Sequence, residues 1–315
     1  MNNRRSFIVG IKSTSLSKKE KFFLKKYKPW GVILFSRNIM NIKQSRKLTF
    51  SIRRIFNDKN YPILIDQEGG RVNRLKNIIS FDNLTSQFFG RKYITNYKEF
   101  NFFYKLFVDK TSYLLKSIGV NINTSPVLDL SVKGASKIIG DRSFSKDPKI
   151  VSKIGDYCIK FFHNNGIGTV IKHIPGHGLA KVDSHRFTPQ VDKELSFLSK
   201  KDFICFKKKA SFFAMTAHIV FNKIDRENVV THSKKLIKII RNKIGFKNIL
   251  ISDDISMKSL KGSIKINTIK TFKAGCNLVL HCNANYKEME IVGKNSPFIN
   301  KFISKKTSQF YKILR

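Results

Sequence analysis

Short β-branched and apolar runs recur along the whole chain, and each is followed by turn residues and a segment long enough for a helix. Eight can be placed: Phe7–Ile11, Val32–Phe35, Ile63–Asp66, Val120–Ile122 or the neighbouring Val127–Leu128, Thr169–Ile171, Phe213–His218, Ile249–Ser252 and Leu278–His281. Runs that are continuously apolar, not alternating, mark strands buried on both faces, as parallel strands under helical crossovers are. Eight such units close into a barrel. The expected fold is therefore α/β, a (β/α)8 TIM-type barrel made as a single domain over residues 1–315. No linker or low-complexity block divides the chain. The last segment, Lys301–Arg315, has Phe302, Tyr311 and Leu314 among its lysines and reads as a terminal helix that packs on the barrel.

Composition narrows the partners. The 61 Lys and Arg against 21 Asp and Glu give a net charge of +40, which ordinarily points to a polyanion. Here the charge is spread along the chain and accompanies abundant Ile, Asn and Phe, the signature of AT-rich codon usage. No nucleic-acid-reading motif accompanies it. No specific nucleic-acid partner is expected, only weak salt-sensitive attraction to polyanions. The four cysteines (Cys158, Cys205, Cys276, Cys282) form no CxxC pair and read as free thiols of a reducing compartment. The apolar stretch Ser6–Ile11 is too short for a secretion signal, and no run approaches the ~20 apolar residues of a membrane span. A soluble, cytoplasmic monomer is expected.

Several runs end in residues suited to chemistry: Asp66, Lys172-His173, His218 and Asp253-Asp254. In a barrel all C-terminal strand ends open on one face, so these residues converge. Three of the seven histidines fall in the Gly- and Pro-broken stretch of residues 172–185. Within it, Asp183 and His185 stand two apart, which in an extended loop sends both side chains the same way. The carboxylate can then hold one imidazole nitrogen and leave the other to carry a proton. A metal site from His173, His177, Asp183 and His185 competes with that reading, though a barrel metallohydrolase spreads its ligands over several strand ends.

Two further motifs flank this one. Asp66–Arg74 (DQEGGRVNR) follows a strand, and its paired glycines permit a sharp turn and close approach to a ligand. Asp66 and Arg74 suit hydroxyl groups there; the alternative is a purely structural turn that a Glu68–Arg71 ion pair fixes. Asp253 and Asp254 end the seventh run. One suits a nucleophile or electrostatic stabiliser, and the other caps the next helix. Because adjacent strand residues point to opposite sides, only one of the two is expected at the barrel mouth.

Together, Asp66–Arg74, Lys172–Gly178 with Asp183-Ser184-His185, Ala214–His218 and Ser252–Met257 resemble glycoside hydrolase family 3. Within it they are most similar to the cytoplasmic bacterial β-N-acetylhexosaminidases of peptidoglycan recycling. The resemblance runs from about Gly31 to Cys282. It implies a retaining glycosidase without metal or organic cofactor. Asp253 would be the nucleophile, His185 the acid/base and Asp183 its dyad partner, a departure from the two-carboxylate pattern of most glycosidases. Asp66, Arg74, Arg142, Lys172 and His173 match the family's sugar-binding positions. The substrate implied is GlcNAc linked to 1,6-anhydro-N-acetylmuramic acid, with or without peptide. Gln67 stands where the family often has His, and Ile174 where Phe is common. The continuation Arg186–Pro189 is more apolar than usual. None of these removes a catalytic group.

Overall fold

The computed structural model describes residues 3–132, 134–135, 138–180, 182 and 187–314. Its strands, in chain order, are β1 (Arg5–Gly10), β2 (Pro29–Leu34), β3 (Ile63–Ile65), β4 (Ile122–Asn123), β5 (Gly168–Ile174), β6 (Gln190–Val191), β7 (Phe213–Thr216), β8 (Val220–Phe221), β9 (Ile249–Asp254) and β10 (Leu278–His281). Eight of them, β1-β2-β3-β4-β5-β7-β9-β10, close into a barrel whose neighbours are all parallel. The expected (β/α)8 barrel is the fold.

Each strand is buried on two sides, which is why its run is continuously apolar. Ile8, Ile33, Leu64, Ile122, Val170, Phe213, Ile249 and Leu278 belong to the core inside the barrel. Their alternates Phe7, Val32, Ile63, Ile171, Ala214, Leu250 and Val279 belong to the larger core between strands and helices. The helices begin where the sequence supplies caps. Ser17 and Glu20 form a reciprocal capping box, and Asn41, Asp147, Ser263, Asn285 and Asn300 accept backbone N–H groups at other helix starts.

The fourth run explains its own ambiguity. β4 holds Ile122–Asn123, while Val127 bridges Lys172 on β5, so both candidate segments touch the same neighbour. The small parallel pair β6–β8 lay outside the expectation; two-residue strands carry no periodicity to read. The terminal helix spans Lys301–Tyr311 and packs on the barrel through Ile303, Thr307 and Phe310, with Tyr311 and Leu314 partly buried against the same core and Phe302 37% exposed. The inward stripe is set by where this helix crosses the N-terminal mouth of the barrel. There Phe310 meets Phe213 at 5.3 Å between ring centroids, and Trp30 Nε1 donates to Thr307 Oγ1 (2.9 Å). Among the described residues no helix is long and apolar enough to cross a membrane.

Candidate active site

The opposite mouth holds a cavity of about 520 Å3 at the C-terminal ends of the strands. Its floor is a buried charged cluster. Lys172, 1% exposed at the end of β5, places its Nζ against an Asp66 oxygen and 2.6 Å from Glu68 Oε1. Arg142 grips Glu68 with two parallel bonds, Nε to Oε2 and Nη2 to Oε1, both 2.8 Å. Arg74 Nη2 lies 3.1 Å from Asp66 Oδ2. Burial alone would raise the Asp66 and Glu68 carboxyls. The cations outweigh it and hold both below their usual range, Asp66 far below. Both acids therefore stay ionised as acceptors.

The loop that carries Glu68 turns where the sequence placed its glycines, with Gly69 and Gly70 at φ +94° and +55°. The alternative, purely structural reading of the loop, a Glu68–Arg71 pair, is not what forms. Glu68 turns inward to Lys172 and Arg142, and Arg71 pairs instead with Asp141 at 2.8 Å on the rim. A carboxylate with two buried cations within reach gains more there than from one solvated arginine.

Above the cluster, His173 lines the cavity, and its Nδ1 lies 2.7 Å from Asp129 Oδ2. Asp129 is fully buried and also accepts the backbone N–H groups of His173 (3.2 Å) and His177 (2.7 Å). Burial would raise its pKa, but His173 and these donors keep it below the ordinary carboxylate value. Nδ1 is thereby committed to Asp129, which leaves Nε2 of His173 as the nitrogen for a ligand. Asp129 was missed in the sequence. Its one signal is an acid directly after the apolar pair Val127-Leu128.

At the end of β9, Asp253 and Asp254 both line the cavity, contrary to the expectation that only one would. The cause is an irregularity in the ladder: Leu278 pairs with Ile251 but Leu280 with Asp254, so β9 inserts an extra residue and the alternation breaks. Asp254 does not cap a helix either. It accepts Ser256 N–H (3.0 Å) and Cys282 N–H (3.2 Å), and Ser263 caps the next helix. Asp253 accepts only the Asp254 N–H at 2.8 Å, so its other oxygen is uncommitted among the described residues. Burial raises its pKa, yet His218, His173 and Lys172 bring it below the ordinary value.

His218, the polar residue after β7, is fully buried. Its Nε2 meets the Asp254 carbonyl (3.0 Å) and its Nδ1 the Thr231 hydroxyl (2.8 Å). Both nitrogens are used, so His218 fixes the β9 turn. Asp183 and His185 lie outside the described residues. Of the competing metal set, only His173 and His177 are described, with ring centroids 5.7 Å apart.

A buried anion facing a cavity, opposite hydrogen-bonding groups at barrel strand ends, is the equipment of a glycosidase. The sequence profile described as Glycosyl hydrolase family 3 N terminal domain matches residues 8–302. The chain belongs to glycosyl hydrolase family 3. It is a glycosidase of the β-hexosaminidase type. A protein named beta-hexosaminidase from Hydrogenovibrio crunogenus is 34% identical over 281 residues, covering 88% of this chain and 78% of that one. NagZ of Neisseria gonorrhoeae is 27% identical with a TM-score of 0.87, covering 99% of this chain and 90% of that one. The structure of that protein with N-trifluoroacetyl-D-glucosamine gives a TM-score of 0.84 at 26% identity, covering 99% and 93%. A family 3 β-N-acetylglucosaminidase from Paenibacillus shares the fold, with a TM-score of 0.86 at 22% identity; this chain covers 60% of its length and aligns over 98% of its own.

Proposed function

We propose that the protein is a retaining exo-β-N-acetylglucosaminidase that removes non-reducing terminal GlcNAc from peptidoglycan fragments. The substrate is GlcNAc-1,6-anhydro-N-acetylmuramic acid with or without peptide, and residues 1–315 act as one catalytic barrel in the cytoplasm. The observation that carries this reading is Asp253, an ionised carboxylate in the cavity wall with one oxygen uncommitted among the described residues. That oxygen attacks the anomeric carbon while the bond from this carbon to the leaving oxygen breaks. The product of the step is a covalent glycosyl-enzyme. His185 gives its proton to the leaving oxygen and then takes one from the water that frees the sugar, with Asp183 holding the imidazole. These two roles rest on the family resemblance. Asp66, Arg74, Arg142, Lys172 and His173 bind the sugar; the buried ion pairs keep them in place before it arrives.

The test is release of p-nitrophenol from its β-GlcNAc glycoside by the wild type and by Asp253→Ala. Turnover by the wild type and a loss on the order of 10³-fold or more in the variant are expected. Normal turnover by Asp253→Ala would sink the assignment. Faster release from the β-glucoside would move the specificity to another sugar. No turnover by folded wild type on either glycoside would favour a binding role.

A further inference from the structure

Asp202 lies outside the groups that the proposed reaction uses. It is 2% exposed, and among the described residues neither carboxylate oxygen has a hydrogen-bond partner. It stands at the N-terminal end of the short helical turn Phe203–Phe206, yet its side chain does not cap that turn. It packs instead beneath the loop that follows β5. A Cβ built at Gly176 would fall 2.5 Å from Asp202 Cβ and 3.0 Å from its Oδ1. Gly176 has φ +141°, and its N–H closes a turn onto the His173 carbonyl at 2.8 Å. The same loop is gripped by Asp129 through His173 and His177. Two acids thus serve one loop: Asp129 with its donors, and Asp202 with none among the described residues.

An ionised carboxylate without a partner, close to a second anion, is among the costliest groups to bury. A neutral carboxylic acid at that position is tolerable. We propose that Asp202 is a positioning residue of this active site, a neutral acid that holds the His173–Gly178 loop from beneath, and that its ionisation loosens the loop. The charged and titratable groups around it are Asp129 from the segment after β4, with His173 and His177 bound to that acid, and Lys201 and Cys205 on its own segment with Lys209 near Cys205. Burial and then Asp129 push the Asp202 carboxyl up to about 7, against the opposing pull of its own backbone contact and Lys201. Lys209 Nζ is committed elsewhere, to Asp156 at 2.9 Å, so it offers Asp202 no counter-ion.

This inference rests on the glycosidase reading for its kinetic consequence but not for its thermodynamic one. Asp202→Asn keeps the shape and removes the titration. The ratio of its kcat/KM to that of the wild type is expected to rise about tenfold for each pH unit above about 7. Without any substrate, the wild-type Tm is expected to fall by several degrees relative to Asp202→Asn as pH rises from about 4 to 7. Over that range the unfolded chain ionises this group and the folded one does not. A flat kcat/KM ratio together with parallel Tm curves overturns the proposal. If the wild type hydrolyses no glycoside, the Tm curves still decide it. Should Asp202→Asn not fold, Asp202→Leu removes the same titration with a similar shape. Should neither fold, the infrared spectrum of the wild type decides. A protonated-carboxyl band present at about pH 6 and absent by about pH 8 supports a neutral Asp202, and its absence at both pH values rejects it.

Discussion

The two mouths of the barrel both bury side chains but are chemically opposite. At the N-terminal mouth, Trp30, Phe213, Ile303 and Phe310 are at most 3% exposed and touch one another through apolar surface. At the C-terminal mouth, Lys172, Glu68, Asp129 and His173 are at most 7% exposed and meet in polar pairs, Lys172 with Glu68 and His173 with Asp129. The same strands supply both ends. Apolar contact gains free energy wherever it forms, roughly 25 cal/mol for each Å2 removed from water, and needs no partner of a particular kind. Buried charges lose solvation and recover it only while every partner is present. One mouth therefore holds the barrel shut, and the other keeps a set of ionised groups ready for a polar ligand. The lesson is that burial alone does not distinguish a core from a site; the identity of the partners does.

Lys172→Met should have the largest effect on this contrast. It leaves the buried Glu68 and the half-buried Asp66 without the cation they share, a loss of about 3–5 kcal/mol, and it removes a proposed sugar-binding group. Both Tm and kcat/KM should fall. A variant as stable as the wild type would mean that the cluster contributes nothing to holding the fold.

Phe310→Ala should be comparable in stability and silent in chemistry. Removing the Phe310 ring from its place against Phe213 costs about 3–5 kcal/mol, read as a lower denaturant midpoint. The folded fraction should keep its kcat/KM. An equal loss of kcat/KM in this variant would break the separation between the two ends.

The smallest effect separates the ends by pH. Asp66, Glu68, Asp129 and Asp253 all sit below their ordinary pKa values. For depressed acids the stabilisation is present above the unfolded values near 4, and it is lost as pH falls through the lower folded values. Wild-type stability should decline below about pH 4. In Lys172→Met the decline should be shallower, because without that cation the folded values of Asp66 and Glu68 move back toward the unfolded ones and less stabilisation is left to lose. In Phe310→Ala the curve should drop as a whole without moving along the pH axis. Acid limbs that superimpose for Lys172→Met and the wild type would show that the depression comes from Arg74 and Arg142 alone.

Particular residues show how far the sequence could be read. Leu278–His281 was legible to the residue because its run is apolar, short and bounded by turn residues. Asp66, Lys172, His173 and Asp253 were legible because each ends such a run. Asp129 was hidden because two segments competed for the fourth strand, and the acid followed the one that forms only a bridge. The partners of Glu68 were hidden because Arg71 is near in sequence while Arg142 and Lys172 are near in space.

The sequence by itself determined the barrel, its strand count and the residues at its strand ends. Two-sided burial writes itself into runs of β-branched and apolar residues, and local turn chemistry marks where they stop. Only the tertiary structure decided which charges pair, that Asp254 turns to Ser256 and Cys282, that Asp253 keeps an oxygen toward the cavity, and that Asp202 lies beneath Gly176 with no partner among the described residues. Those outcomes depend on distances between segments tens of residues apart. Electrostatic energies follow distance and burial, which spacing along the chain does not encode.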